Sequence, residues 1–115
     1  MSYLENDFAF QLNALGIKFE REFKAIPGRQ FRFDFFVQEL NLLIEIQGGI
    51  WKPNRGHTNG RGISRDCEKF NQAQLAGFHI LLFTPQGITS GEGSTLIETI
   101  YHTEEPLRWT GVEKK

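Results

Sequence analysis

Asp34 and Glu45 lie in two neighbouring apolar runs, Phe31-Arg32-Phe33-Asp34-Phe35-Phe36-Val37 and Leu42-Leu43-Ile44-Glu45-Ile46-Gln47. Both runs are rich in aromatic and branched residues, which predicts two strands. A tight connection centred on Glu39 and Leu40 pairs Val37 with Leu42, Phe35 with Ile44 and Phe33 with Ile46, all apolar. The opposite face then carries Phe36 beside Leu43, Asp34 beside Glu45 and Arg32 beside Gln47. A slip of one residue would destroy this sorting, so the pattern specifies its register. Two carboxylates directly opposite would lie roughly 4.5–5.5 Å apart at Cβ, and like charges so placed destabilise the pair. A hard divalent cation, which takes oxygen ligands, would offset that repulsion. A solvated sheet face with one acid paired to Arg32 is the plainer alternative.

The elements that must hold this pair are readable around it. Leu4, Phe8, Leu12 and Leu15 recur at helical spacing and predict a helix over residues 3–15, ended by Gly16. Ser2 and Glu5 fit a capping box at its start. Lys18 to Ala25 reads as a strand with Phe19 and Phe23 on one face, and Pro27-Gly28 as a turn. After the hairpin, residues 48–62 hold Gly48, Gly49, Pro53, Gly56, Gly60 and Gly62 and predict a loop. Loops of that length in small domains are usually functional or disordered. A second helix is expected from Ile63 to Ala76, with Ile63, Cys67, Phe70, Ala73 and Gly77 as its apolar face and Gly77 as its cap. His79 to Phe83 is a short strand stopped by Thr84-Pro85. A last helix runs from Thr95 to His102 within a C-terminal region of residues 92–115, where Trp109 is expected to dock. A hairpin followed by a helical crossover to another strand implies a mixed sheet with flanking helices, an α/β fold.

With 115 residues the chain suits a single domain, 1–115. Its net charge of −1 does not by itself predict a nucleic-acid partner, so local charge must carry that argument. The loop supplies it, with Lys52, Arg55, His57 and Arg61, then Arg65 just beyond, and no acid within it. Cations neutralise phosphates and glycines expose N–H groups, which fits a DNA-backbone clamp. Trp51 could stack on a base, or else be tucked into the core. The single Cys67 excludes an intramolecular disulfide, fits a reducing, cytoplasmic setting, and reads as a small buried thiol. No signal peptide or membrane-spanning run is expected. His57, Cys67, His79 and His102 lack zinc-like spacing, and no glycine motif has phosphate-loop or dinucleotide spacing.

The triplet Asp34, Glu45 and Gln47 resembles the signature of the PD-(D/E)XK nuclease superfamily. The resemblance extends through Glu45-Ile46-Gln47-Gly48-Gly49-Ile50-Trp51, His57-Thr58, Arg65-Asp66-Cys67-Glu68-Lys69-Phe70-Asn71 and Gly77-Phe78-His79-Ile80-Leu81-Leu82-Phe83-Thr84, over residues 5–84. These runs are similar to small phage and prophage nucleases, akin to very-short-patch repair endonucleases and VRR-NUC Holliday-junction resolvases. The resemblance implies a restriction-endonuclease-like α-β-β-β-α-β core. It implies Mg²⁺, with Mn²⁺ as a substitute, held by Asp34, Glu45 and the carbonyl of Ile46, and hydrolysis of DNA phosphodiesters. Phe33 stands where the motif has proline, and Gln47 where it has lysine. Gln47 could orient water but supplies no charge. Lys69 on the following helix is a candidate substitute, against the alternative of an exposed pair with Glu68 or Asp66. Glu5 is a further candidate from the first helix, against its capping role. The expectation is an endonuclease for branched DNA, resolvase-like and homodimeric. A monomeric nicking enzyme, and a DNA-binding protein with an inactive nuclease fold, are the alternatives.

Overall fold

The computed structural model describes residues 3–47 and 60–103, with backbone alone at 60 and 61. The chain runs α1 (Tyr3–Ala14), β1 (Glu20–Phe23), β2 (Phe33–Val37), a 3₁₀ turn (Gln38–Leu40), β3 (Leu42–Ile46), α2 (Gly60–Leu75), β4 (His79–Phe83), α3 (Pro85–Thr89) and α4 (Glu92–Tyr101). The strands form one sheet in the order β1-β2-β3-β4. β1, β2 and β3 are antiparallel neighbours, and β4 joins β3 in parallel. This is the mixed α/β sheet that the sequence implies.

The hairpin keeps the expected register, with Phe35, Phe36 and Val37 opposite Ile44, Leu43 and Leu42. Asn41 closes it at φ +52, a left-handed conformation that asparagine tolerates better than most residues. The Asn41 side-chain amide donates to the Gly77 carbonyl at 2.7 Å, and its own carbonyl accepts from His79 N–H at 3.0 Å. One residue thus closes the hairpin and sets the start of β4.

Two apolar layers sandwich the sheet. Phe8 and Leu12 of α1, Ile88 of α3 and Ile97 of α4 pack on Phe35, Val37, Leu42 and Ile44. On the other side, Phe70 and Ala73 of α2 pack with Phe33, Phe36 and Leu43. Of the predicted stripe, Phe8 and Leu12 are thereby buried, and Leu4 and Leu15 are partly buried beside them.

β1 is shorter than Lys18 to Ala25, and within it Glu22 takes φ +54, which turns the strand over. Phe19 and Phe23 consequently do not share a face: Phe19 packs on Phe35 and Phe23 stacks on Phe36. Phe23 pairs with Phe33, so β2 turns over at the same place, and Phe33 joins Phe36 and Leu43 instead of Phe35 and Ile44.

α2 begins at Gly60, so residues 60–62 belong to the helix and not to a loop. Its covered stripe runs through Lys69 and Ala73 with Phe70 beside it. At about 100° per residue, Cys67 lies roughly 160° around the helix from Lys69. Cys67 and Ile63 are therefore exposed, and the buried-thiol expectation is overturned.

Thr84-Pro85 stops β4 and also starts α3. The Thr84 hydroxyl accepts from Gly87 N–H at 3.1 Å, and Pro85 suits a first helical position. α4 starts at Glu92, earlier than Thr95. A Cβ at Gly93 would meet the Gly87 carbonyl at 3.3 Å, which lets α3 and α4 approach closely. Among the described residues no helix is long and apolar enough to cross a membrane. Ser2 and Trp109 lie outside the described residues.

Candidate active site

Asp34 is the second residue of β2 and Glu45 the fourth of β3. The β2–β3 ladder pairs residues 35–37 with 42–44, and at its end the two carboxylates reach into the backbone of the facing strand. Asp34 N–H donates to Glu45 Oε1 at 2.9 Å, and Ile46 N–H donates to Asp34 Oδ2 at 2.8 Å. Each acid is thus fixed by the strand opposite, and the expected juxtaposition of Asp34 and Glu45 is present in this reciprocal form. Burial first, and then the Glu45 charge, push the Asp34 carboxyl from 3.8 up to about 6, while the Ile46 N–H and Lys69 oppose the rise.

Lys69 reaches the same place from α2. Its Nζ lies 2.5 Å from Glu45 Oε2, with the two side chains only 13% and 14% exposed. The ammonium also stands 4.7 Å from the Phe33 ring centre and 5.8 Å from that of Phe70. Aromatic faces favour a nearby cation, so the rings help hold it there. The exposed-pair alternative for Lys69 does not apply, since Glu68 instead pairs with Arg29 at 2.7 Å.

Asp34 belongs to a second group. One carboxylate oxygen from each of Glu5, Glu22 and Asp34 lies within 4.8 Å of the others. Glu5 comes from α1 and also stands 3.9 Å from Arg21 Nη2. Glu22 comes from β1, at the left-handed residue. Three converging carboxylates are a hard-oxygen donor set of the kind that can hold a divalent cation. Like charges gathered without a cation repel one another.

Sequence reasoning missed Glu22: the β1–β2 pairing, with Arg21 opposite Phe35 and Phe23 opposite Phe33, puts Glu22 opposite Asp34, and spacing along the chain carries no signal for that register.

No protein-family model and no curated protein sequence matches the chain. Among solved structures, the catalytic domain of the homing endonuclease I-Bth0305I matches with a TM-score of 0.66. The match covers 88% of this chain and 95% of that one, at 14% sequence identity. The two share a fold. The acids described above lie on β2, β3, β1 and α1 of this chain.

Gln47 is half-buried just past β3, its N–H donating to the Phe83 carbonyl at 2.8 Å. Ile46 follows Glu45, with its N–H committed to Asp34. Arg65 is exposed on α2, near enough to Glu68 to lower that carboxyl, although Arg29 does so more strongly. Lys52, Arg55, His57 and Trp51 lie outside the described residues, as does the side chain of Arg61.

Proposed function

We propose that this chain is a metal-dependent endonuclease that hydrolyses phosphodiester bonds in DNA. The observation that carries the reading is the reciprocal Asp34–Glu45 arrangement with Lys69 on Glu45, set in a fold shared with a homing-endonuclease catalytic domain. Asp34, Glu45 and the Ile46 carbonyl hold Mg²⁺, for which Mn²⁺ substitutes, and Glu5 and Glu22 add carboxylates on the α1 side. The ion supplies Lewis-acid polarisation of the phosphate and a water of lowered pKa. Gln47 orients the attacking water through its amide. Lys69 supplies the positive charge that Gln47 lacks, helping offset negative charge as it develops on the phosphate. Lys52, Arg55, His57, Arg61 and Arg65 hold the DNA backbone, and Trp51 stacks on an unpaired base or wedges at a junction.

Within this class the reading is a structure-specific enzyme for branched DNA, resolvase-like, of phage or prophage type and acting in the cytoplasm. Two symmetric cuts need two sites, hence a homodimer with isologous contacts. A monomeric nicking enzyme is the alternative within the class. One observation favours a different reading, an inactive fold that binds DNA: Lys69 is engaged by Glu45, and the motif position holds Gln47.

Cleavage of a labelled four-way junction and a matched linear duplex in Mg²⁺, Mn²⁺ and EDTA, with Asp34→Ala alongside, tests these readings. Paired symmetric nicks in the junction, abolished by EDTA and by the variant, are expected. Equal cutting of the linear duplex would keep the nuclease and remove junction specificity. Tight binding with no cutting in either metal would establish the inactive fold.

A further inference from the structure

Residues 24–32 connect β1 to β2 and read Lys24-Ala25-Ile26-Pro27-Gly28-Arg29-Gln30-Phe31-Arg32. They hold three cations and no acid, in a chain whose net charge is −1. β1 ends at Phe23, which pairs with Phe33, and Asp34 follows. The connection therefore leaves and rejoins the sheet at the end where the carboxylates gather.

Its charged side chains are organised. Phe31 and Phe33 are buried, so strand alternation turns Arg32 outward, where it is exposed. Lys24 is exposed, and its Nζ donates to Gln30 Oε1 at 3.1 Å, bridging the two limbs of the connection. Arg29 lies 4.4 Å from the Phe31 ring centre and bonds Glu68 at 2.7 Å. That bond ties the connection to α2 one residue before Lys69, with Arg65 one turn earlier on the same helix.

We propose that the β1–β2 connection is a binding arm for the phosphate backbone of duplex DNA, with Lys24 and Arg32 as contact residues and Arg29 as the anchor. The choice of ligand rests on the endonuclease reading. The arm joins β1 to β2 beside the carboxylates and is tied to α2, so a duplex crossing the site meets its cations together with Arg65 of α2. Contacts of this kind position a duplex without reading its sequence.

The test is fluorescence anisotropy of a short labelled duplex over a series of KCl concentrations in EDTA, with Lys24→Ala, Arg32→Ala and Arg32→Lys. Each alanine variant is expected to weaken binding alike for unrelated sequences and to reduce the slope of log K against log salt by about 0.9. Arg32→Lys, which keeps the charge, is expected to restore the slope. Unchanged slopes in both alanine variants, or no duplex binding by the wild type, would overturn the arm. Salt-dependent binding that responds to these variants, with no cutting by the wild type in Mg²⁺ or Mn²⁺, would keep the arm and remove the hydrolytic reading. Cutting with unchanged slopes would do the reverse.

Discussion

Asp34 is a partly buried acid held beside a second acid, Glu45. Its carboxyl is raised from 3.8 to about 6, chiefly by burial and then by Glu45. A carboxyl harder to ionise in the folded chain contributes its full stability below the lower value and loses it as pH rises through the upper one. Asp34→Asn is therefore expected to raise thermal stability at neutral pH, by about 2 kcal/mol, with the gain vanishing toward pH 4; melting curves across that range check it. Divalent-ion binding needs the ionised form, so the affinity of the wild type for Mg²⁺ is expected to fall as pH drops through about 6, where the proton competes with the ion; an ion titration across that range checks it. Lys69→Met is expected to slow cutting by about 10²-fold while divalent-ion affinity holds or rises, because Glu45 is released from its ammonium; kinetics beside an ion titration separate the two effects. Glu22 sits in a backbone conformation that costs a non-glycine residue about 1 kcal/mol. Glu22→Gly should recover stability of that order in urea unfolding and weaken divalent-ion binding, whereas Glu22→Gln should do only the latter.

The hairpin register was legible because it sets Val37 opposite Leu42 and Phe35 opposite Ile44, a sorting that a one-residue slip would lose; the departure of Phe33 from that face was not legible. Asn41 gives that register a physical origin. Asn41→Ala forces alanine into the left-handed region and removes the bond to Gly77, and is expected to cost about 1–2 kcal/mol. Asn41→Gly should cost less, since glycine accepts that conformation, and denaturant midpoints for the pair distinguish strain from the lost bond. α2 was harder to phase. Its residues Ile63, Cys67, Phe70, Ala73 and Gly77 suggested one stripe; Phe70 and Ala73 do lie on the covered face, but that face continues through Lys69 while Ile63 and Cys67 are exposed. A lysine marks a buried face only when an acid waits opposite, and Glu45 is on another element. α3 was missed because Thr84-Pro85 signals both a strand end and a helix start, and five residues are too few to show helical spacing.

Across the whole molecule, carboxylates from α1, β1, β2 and β3 meet at one end of the sheet, faced by Lys69 of α2. Anything that binds this arrangement and not the unfolded chain stabilises it by mass action. Mg²⁺ is therefore expected to raise the melting midpoint at neutral pH, in proportion to the logarithm of its concentration, and Asp34→Asn to blunt the response. The sequence by itself determined the mixed sheet, the α1 stripe, the hairpin register and the facing of Asp34 and Glu45, because each rests on local periodicity and a single turn. Tertiary structure alone decided that Lys69 is buried against Glu45, that Cys67 is exposed, and that Glu22 joins Glu5 and Asp34. Those outcomes depend on how a helix is rotated about its axis and how a strand kinks against its neighbour. Packing between elements distant in sequence sets both, and spacing along the chain does not encode them.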